Sequence, residues 1–334
     1  MSRDLKVLVS IINYKTADLT IAAAQSVLDD LGQISGEIVI VDNASGDGSD
    51  DVIEAWIAER PERPVRLVRA GANTGFSGGH NRGMAAAQAD FYLILNSDAV
   101  LRPGFLASIL EAADAQPDKG LFAPQLEYDD GEVQISQFRF ASPLSELIRA
   151  GHSGPLTRLF QGRQVALPLG SDPAEIEWAS FACILLRGAM VAEIGPMDEG
   201  YFLYFEDAEY CLRARRAGWH IAPVPAARAV HFRGGSGPVK ALAKMRKRLP
   251  GYFYASRARF LAQAHGRWAP LRANLLWHLG RAVAQTRRIF GKPVSPAAEA
   301  EARDIWINAF DPYGPRLAPH ELGGKAAHLQ GAQA

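Results

Sequence analysis

The chain of 334 residues is 48% hydrophobic, 9% aromatic and 22% charged, and its formal net charge is zero. A chain of this size and composition can bury a large core, which excludes a disordered, collagen-like or disulfide-scaffold protein. No apolar run reaches the roughly 18 residues that span a bilayer, so we expect no membrane-spanning helix.

The sequence also predicts the compartment in which the protein works. Residues 1–6 lead directly into a strand-like run and lack the basic region and apolar stretch of a secretory signal. The two cysteines, Cys183 and Cys211, are too few for a disulfide framework or a cysteine metal cluster. We therefore expect a cytoplasmic protein whose cysteines lie in the core.

The zero net charge conceals an uneven distribution. Residues 210–298 contain 18 of the 36 Lys and Arg and none of the 36 Asp and Glu. This segment has a formal charge of +18 and the rest of the chain has a charge of −18. Such a division indicates an anionic partner for the basic segment, which could be a phosphate group, a membrane surface or a nucleic acid.

Strand and helix patterns alternate through roughly the first 120 residues, which predicts an α/β fold with a mostly parallel sheet flanked by helices. Short runs rich in Val and Ile predict buried parallel strands, and the segments between them have helical character. We expect strands at 6–13, 37–41, 65–69 and 91–95, helices at 17–31 and 49–58, and a glycine-rich turn at 73–83 that opens an Ala-rich helix.

The rest of the chain is less regular. Residues 125–176 predict loops with one or two short elements, 177–187 a strand, and 201–216 a helix. The composition changes near residue 236, which separates a domain at 1–236 from a basic helical region at 237–311 and a poorly ordered tail at 312–334. In the basic region, six apolar residues are spaced as one face of a helix. They are Trp268, Leu271, Leu275, Leu276, Leu279 and Val283.

Polar residues follow three of the predicted strands. Ligands of open parallel sheets bind at the carboxyl ends of the strands, which places Asn13, Asp42 and Asp98 around one crevice. A carboxylate at position 98 can hold a divalent cation beside a diphosphate. One at position 42 can accept a hydrogen bond from the N3–H of uracil or thymine. Taken singly, each acid is more readily explained by turn or helix-capping chemistry.

A second candidate site is an acidic cluster that follows an aromatic run. Residues 201–205 read YFLYF, and Glu206, Asp207 and Glu209 come directly after them. A carboxylate in aromatic surroundings can have a raised pKa and act as a general base, whereas acids at a helix N-terminus can simply stabilise the helix. His231, just before a glycine-rich segment, is either a ligand or a structural histidine.

Seven segments occur in a fixed order along the chain. They are VSIINY at 9–14, VDNASGDGS at 41–49, NTGFSGGHNRG at 73–83, LNSDA at 95–99, WASFACILLRG at 178–188, GPMDEGYFLYFEDAEYCLRARRAGW at 195–219 and VHFRGGSG at 230–237. Together they resemble the family 2 inverting glycosyltransferases with the GT-A fold, in particular the rhamnosyltransferase-like branch. Each segment alone is weak, but the ordered set is specific.

The resemblance implies the roles of the candidate residues. Asp98, the last member of a DXD-like triplet, would bind Mg²⁺ or Mn²⁺ together with His231, and Asp207 would deprotonate the acceptor hydroxyl. Asp42 would read the base of the nucleotide. The implied nucleotide-binding residues are Asn13, Tyr14, Asp42, Asn43, Asn73, Gly75, Asn81, Arg82 and Ser97. The residues implied at the donor and acceptor sugar sites are Trp178, Ser180 and Glu206.

The resemblance further implies the reaction and the partners. The expected donor is dTDP-L-rhamnose, with a UDP-sugar as the alternative, and the expected acceptor is a hydroxyl of a glycan or a lipid-linked glycan in cell-surface polysaccharide synthesis. Two positions depart from the pattern of the family. Asn96 replaces the first acid of the DXD triplet, and Phe181 replaces a usual glycine.

Two rival function classes remain. A non-catalytic nucleotide-sugar-binding relative is disfavoured by the presence of Asp98, Asp207 and His231. A nucleic-acid-binding protein is disfavoured because the acidic remainder would repel a polyanion, so we expect no nucleic acid partner. The basic helical region instead predicts peripheral association with an anionic surface, the inner face of the plasma membrane.

Overall fold

The structure is a computed structural model that describes residues 5–232, 239–286, 289, 291 and 296–319. The chain divides into two compact units. The first takes its described residues from 1–139, 166–198 and 210–237, and the second from 140–165, 199–209 and 238–334. The segments 140–165 and 199–209, which the sequence placed in the domain at 1–236, therefore belong to the second unit.

An eight-stranded sheet forms the centre of the first unit. Its strand order is β3-β2-β1-β4-β9-β6-β10-β5. The strands are β1 (Leu5–Asn13), β2 (Gly36–Asp42), β3 (Val65–Arg69), β4 (Ala89–Asn96), β5 (Ala99–Leu101), β6 (Lys119–Glu127), β9 (Cys183–Arg187) and β10 (His220–His231). Two further strands, β7 (Gln137–Phe138) and β8 (Trp178–Ala179), pair with each other.

The pairing within the large sheet is mixed. The run β3-β2-β1-β4 is parallel, as the sequence predicted. β9 is antiparallel to its neighbours β4 and β6, and β10 is parallel to β6 and antiparallel to β5. Because β1 lies inside the sheet with helices over it, Val7, Val9 and Ile11 are fully buried in the core. Cys183 and Cys211 are also buried, as predicted.

Twelve α-helices lie among the described residues. In chain order they are α1 (Ala17–Leu31), α2 (Ser49–Ala58), α3 (Gly75–Met84), α4 (Phe105–Ala115), α5 (Pro143–Gly151), α6 (Gly154–Leu159), α7 (Gly188–Ile194), α8 (Glu206–Arg216), α9 (Val239–Lys244), α10 (Gly251–His265), α11 (Ala269–Thr286) and α12 (Glu301–Asp304). The predicted helices at 17–31 and 49–58 are confirmed. The predicted helix at 201–216 begins only at Glu206.

The glycine-rich segment at 73–83 is itself helical, so the prediction of a turn followed by an Ala-rich helix was wrong. Helix α3 covers Gly75–Met84 and ends where the Ala-rich run begins. Its glycines face β1 closely: a Cβ atom on Gly79 would lie 2.6 Å from Ile12 Cδ1, and one on Gly83 would clash with Ser10 Oγ. Close packing against the strand therefore explains a glycine content that is otherwise unfavourable in helices.

The second unit is built on helices α5, α10 and α11. Gly280 of α11 packs directly on α5, because a Cβ atom there would lie 2.5 Å from the Leu147 carbonyl oxygen. A buried ion pair links two of the helices, because Glu146 of α5 lies 3.1 Å from Arg257 of α10. Glu146 also lies 2.7 Å from the more exposed Arg149 of its own helix. Burial alone would raise the pKa of the Glu146 carboxyl, but the two guanidinium groups lower this pKa to about 2. The glycine-rich residues at 233–238 and the tail from residue 320 lie outside the described residues.

Candidate active site

Asn13 and Asp42 end two neighbouring strands, β1 and β2, and are paired across them. The Asn13 side chain is fully buried, and its Nδ2 donates to Asp42 Oδ1 at 2.7 Å. The same amide donates to Ser45 Oγ at 3.1 Å and to Ser49 Oγ at 2.9 Å. Asn13 therefore orients the polar loop that follows β2.

The Asp42 carboxylate is held rigidly at the end of β2. Its Oδ1 accepts from Ser45 Oγ at 2.5 Å, and its Oδ2 accepts from the Ser45 backbone N–H at 3.2 Å. The loop after it contains left-handed backbone at Ala44, Gly46 and Gly48. A carboxylate offers about four lone-pair positions, so capacity remains for a further donor such as an N–H of a base.

Asn43 connects the end of β2 to the start of α3. Its Nδ2 donates to Asn73 Oδ1 at 3.1 Å and to the Gly75 carbonyl at 2.9 Å. Its Oδ1 accepts from the backbone N–H of Thr74 at 3.0 Å and from the Thr74 hydroxyl at 3.1 Å. The predicted nucleotide residues Asn43, Asn73 and Gly75 thus form one continuous hydrogen-bonded turn.

The two polar side chains near the end of α3 differ in their roles. Arg82 is half-buried, and its Nη1 donates to Thr74 Oγ1 and to the Gly78 carbonyl, each at 2.9 Å. Asn81 forms two hydrogen bonds with the backbone of Met197, each at 2.9 Å. Arg82 therefore presents a positive charge beside the Thr74 turn, whereas Asn81 connects α3 to a second loop.

Tyr14 and Ser97 lie directly after β1 and β4, which are adjacent in the sheet. The Tyr14 ring is 43% exposed, with Lys15 Nζ 5.4 Å from its centroid. Ser97 is buried, and its Oγ accepts from Thr16 Oγ1 at 3.2 Å. The residues after β1, β2 and β4 therefore form one edge of the sheet, as the sequence predicted, with an accessible aromatic ring on it.

Asp98 and His231 come together through strand pairing. His231 ends β10, and its register partner is Ala99 of β5, the neighbour of Asp98. The Phe232 backbone N–H donates to the Asp98 carbonyl at 2.9 Å. His231 Nε2 lies 3.5 Å from Asp98 Oδ1, and both side chains are at most 5% exposed.

The Asp98–His231 pair fits a divalent cation. Two ligands at right angles on one Mg²⁺ or Mn²⁺ ion lie about 3 Å apart, close to the observed separation, and imidazole and carboxylate are both ligands that Mn²⁺ accepts. No group of three or more His, Cys, Asp or Glu that could hold a metal occurs in the part of the chain that the structure describes. A bound diphosphate and water would supply further oxygen ligands.

The structure also identifies positioning residues that the sequence analysis missed. Gln134 is buried, and its Nε2 donates to the His231 carbonyl at 2.7 Å and to the Glu127 carbonyl at 2.8 Å. Thr74 bridges Asn43 and Arg82, and Ser45 holds Asp42. Ser45 and Thr74 lie inside the quoted segments, but Gln134 lies in the irregular middle of the chain, where no pattern singles it out.

Trp178, Ser180 and Phe181 surround the small second sheet of the first unit. The Trp178 ring stacks on Phe138 at 4.3 Å between centroids, and its Nε1 donates to the Arg139 carbonyl at 3.0 Å. Ser180 is half-buried and its Oγ accepts from the Ala182 backbone N–H at 3.3 Å. Phe181, the departure from the family pattern, is a buried core residue.

Glu206 and Asp207 are the last of the predicted site residues, and they belong to the second unit. The two residues that immediately precede Glu206, Tyr204 and Phe205, have a left-handed backbone conformation with φ of 72° and 69°. Strained backbone of this kind in non-glycine residues is concentrated at functional sites. The Phe205 ring packs at 5.6 Å from Phe253, so the turn is supported by aromatic contacts.

The two carboxyl groups differ in environment. Glu206 is 5% exposed, and burial raises the pKa of its carboxyl well above the usual value, an effect that the neighbouring Asp207 carboxylate increases. Asp207 is half-buried, and its Oδ1 accepts from the Ala208 backbone N–H at 2.8 Å. Asp207 is therefore the more accessible carboxylate of the pair.

Comparisons with known proteins identify the family to which the chain belongs. The family model described as Glycosyl transferase family 2 matches residues 8–166. An N-acetylglucosaminyl-diphospho-decaprenol L-rhamnosyltransferase of Mycobacterium tuberculosis is 32% identical over 263 residues, covering 71% of this chain and 79% of the relative. The chain belongs to glycosyl transferase family 2. This glycosyltransferase is also 24% identical to the rhamnosyltransferase WbbL of Escherichia coli over 167 residues, or 46% of this chain and 60% of that protein.

The fold of the glycosyltransferase is found in solved structures. A mannosyltransferase from Pyrobaculum calidifontis, in complex with GDP-Man and Mn²⁺, superposes with a TM-score of 0.54 over 87% of this chain and 77% of its own, at 14% identity. The α/β sheet flanked by helices is therefore the GT-A fold that the sequence predicted. None of the described helices is both long and apolar enough to cross a membrane.

Proposed function

We propose that this glycosyltransferase transfers L-rhamnose from dTDP-L-rhamnose to a hydroxyl of a lipid-linked glycan during cell-surface polysaccharide synthesis, with a UDP-sugar as the second choice of donor. The observation that carries the proposal is the buried Asp98–His231 pair, on the same sheet as the rigidly held Asp42. The choice of L-rhamnose is supported by the rhamnosyltransferase activity of the mycobacterial and Escherichia coli relatives, and the lipid-linked acceptor by the diphospho-decaprenol acceptor of the mycobacterial one.

The nucleotide lies along the edge of the sheet where β1 and β2 end, at Asn13 and Asp42. Asp42 accepts a hydrogen bond from the N3–H of the base, and the exposed Tyr14 ring stacks on it. Thymine and uracil present the same N3–H, so Asp42 alone does not separate dTDP from UDP. The turn formed by Asn43, Asn73 and Gly75 borders the ribose and the phosphates.

Asp98 and His231 would hold Mg²⁺ or Mn²⁺ near the diphosphate, where the cation would neutralise negative charge on the leaving group. Arg82, half-buried beside Thr74, adds a positive charge to the turn that borders the phosphates. Gln134 keeps the end of β10 in place through the His231 carbonyl and so positions the imidazole.

Asp207 is the general base. It removes the proton from the acceptor hydroxyl as the oxygen attacks the anomeric carbon from the face opposite the nucleotide. The bond from that carbon to the diphosphate oxygen breaks, the nucleoside diphosphate leaves with the electron pair, and the configuration inverts. The accessibility of Asp207 supports this role. Burial, together with the Asp207 carboxylate, raises the pKa of Glu206, which favours its neutral form as a hydrogen-bond donor to a sugar hydroxyl.

The acceptor and donor sugars lie near Trp178 and Ser180. The Trp178 ring is fixed on one side by Phe138 and at Nε1 by the Arg139 carbonyl, which supports a rigid apolar surface for a sugar ring. A lipid-linked acceptor places the reaction at the inner face of the plasma membrane. We therefore extend the proposal to a cytoplasmic catalytic domain at 1–236 and a basic helical region at 237–311 that keeps the enzyme peripheral to that membrane.

A panel of nucleotide-sugars tests the proposal. The purified full chain is incubated with Mn²⁺, a lipid-linked acceptor and each of dTDP-L-rhamnose, UDP-glucose, UDP-N-acetylglucosamine and GDP-mannose. The proposal predicts transfer from dTDP-L-rhamnose above all others. Preference for a UDP-sugar would change the donor, and tight binding without transfer or hydrolysis would identify a non-catalytic nucleotide-sugar-binding protein instead.

A further inference from the structure

The outward face of helix α11 carries large apolar side chains. Trp268, the residue before the helix, is 61% exposed, Leu275 is 62% exposed and Leu279 is 52% exposed. Their spacing of seven and four residues places all three on one stripe of a helix. A surface helix ordinarily presents polar residues there, so an apolar stripe of this kind marks an interaction surface.

The opposite face of α11 is buried and packs against the rest of the second unit. Ala273, Trp277 and Ala284 are buried, and Gly280 approaches α5 so closely that a side chain would not fit. Asn274, also fully buried, donates to the Ile305 carbonyl at 2.9 Å and accepts from Arg257 at 3.0 Å. The exposed stripe therefore lies on the side of the helix opposite to its core contacts.

Positive charge flanks the apolar stripe. Arg267 and Arg272 are exposed, and the Arg267 guanidinium lies 5.9 Å from the centre of the Trp268 ring. The Arg272 Nη2 donates to the His265 carbonyl at 2.9 Å. Residues 210–298 contain no Asp or Glu, so no acid of this segment neutralises these charges.

We infer that the stripe formed by Trp268, Leu275 and Leu279 docks the protein on the surface of an anionic lipid bilayer, with Arg267 and Arg272 meeting the headgroups. The helix lies in the plane of the interface, because its opposite face packs in the protein. A second copy of the chain fits the stripe less well, since a symmetric pairing would face the same arginines against each other without an acid to neutralise them. The inference deepens the proposed peripheral association and rests on it.

Vesicle co-sedimentation of the full-length chain tests this surface. The vesicles contain phosphatidylcholine alone or phosphatidylcholine with phosphatidylglycerol. We expect binding to the anionic vesicles at low salt and much weaker binding at high salt or to neutral vesicles. If the wild-type protein does not co-sediment with anionic vesicles at low salt, the inference is overturned.

Three variants locate the contact. The double variant Leu275→Ser/Leu279→Ser is expected to lose about tenfold or more in vesicle affinity. The matched control Leu159→Ser, at a leucine that is 74% exposed on α6, is expected to bind like wild type. Arg267→Gln/Arg272→Gln is expected to lose about fivefold per arginine, and only on anionic vesicles. The assignment would be contradicted if Leu159→Ser lost as much vesicle affinity as the double variants, or if neither double variant lost any.

Two further readouts separate this inference from the proposed function. Transfer to a short water-soluble acceptor should be unchanged in the α11 variants, while transfer to an acceptor embedded in anionic vesicles should fall with vesicle affinity. Loss of both activities would place the stripe in catalysis and overturn the docking role. Light scattering that shows a wild-type dimer and a monomeric Leu275→Ser/Leu279→Ser variant would assign the stripe to a second copy and also overturn it.

Discussion

His231 Nε2 lies 3.5 Å from Asp98 Oδ1, although the two residues are distant in the chain. The antiparallel pairing of β10 with β5 brings them together, and the side-chain amide of Gln134 donates a hydrogen bond to the His231 carbonyl. Both side chains are buried, so their separation is set by the sheet and not by flexible loops. This pair is the basis of the proposed metal site.

Substitution of either metal-site residue should weaken cation-dependent binding of the nucleotide. We expect Asp98→Asn and His231→Gln each to lower the affinity for dTDP in Mn²⁺ by about tenfold or more, because each removes one of two protein ligands. Titration calorimetry with and without Mn²⁺ measures this effect. Binding in EDTA serves as the control and should be similar in all three proteins, whereas full transfer activity in EDTA would contradict the metal role.

Asp207 should be needed for turnover but not for donor binding. Asp207→Asn keeps the shape of the side chain and removes the base, so transfer should fall by about 10²–10⁴-fold while dTDP affinity is retained. Glu206→Gln is the matched comparison, since it changes the adjacent buried carboxyl, which we place as a neutral hydrogen-bond donor. Near-normal transfer by Asp207→Asn together with a large loss in Glu206→Gln would move the role of base to Glu206.

Asn13 should act on nucleotide binding through Asp42. Its amide donates to the buried Asp42 carboxylate and also contacts the hydroxyls of Ser45 and Ser49. Asn13→Ala therefore removes one donor from the carboxylate, at a cost of about 1–3 kcal/mol in unfolding free energy. Asn13→Asp should be worse at neutral pH, because it sets a second carboxylate against Asp42. Thermal unfolding and dTDP titration measure both effects, and a variant as stable and as tightly binding as wild type would refute the positioning role.

His80 predicts a pH dependence of folding stability. Burial lowers the pKa of its imidazole from 6.5 to about 3, while Nδ1 pairs with Ser10 Oγ at 2.9 Å. Between these values the unfolded chain binds a proton that the folded chain does not, so stability falls as the pH drops below about 6.5. The unfolding free energy should change with a slope of about one proton between pH 6 and 5.

His80→Asn is the comparison for this prediction. The variant should be less stable than wild type at pH 8, because the buried ring is lost, but it should lack the His80 part of the pH slope. Urea unfolding at pH 8, 6 and 5 gives both quantities. The same slope in the two proteins would show that another group is responsible.

The parallel half of the sheet was predictable because each of its strands is marked by a short run of residues that are adjacent in the sequence. Runs such as 6–13 and 37–41 are rich in Val and Ile on both alternating faces, a pattern typical of a strand that is buried on both sides. The polar residues that end them, Asn13 and Asp42, follow directly from strand direction. The alternation of strands and helices predicts parallel strands, and the carboxyl ends of parallel strands lie at one edge of the sheet. The expectation that these polar residues share one edge therefore came from the order of the elements.

The remaining features depend on contacts that no local pattern records. The three-residue strand β5 is too short to recognise, yet its pairing with β10 brings Asp98 and His231 together. Glycine propensity predicted a turn at 73–83, but close packing on β1 makes the segment helical. Likewise, the strained backbone of Tyr204 and Phe205 results from tertiary packing in the second unit.

The stereochemistry of one transfer reaction tests the central claim most directly. The purified full chain is supplied with dTDP-L-rhamnose, Mn²⁺ and the lipid-linked acceptor, and the anomeric configuration of the new linkage is read by NMR. A single displacement assisted by Asp207 predicts a product of configuration opposite to that of the donor, with one dTDP released for each linkage formed. A product that retains the donor's configuration would contradict the account.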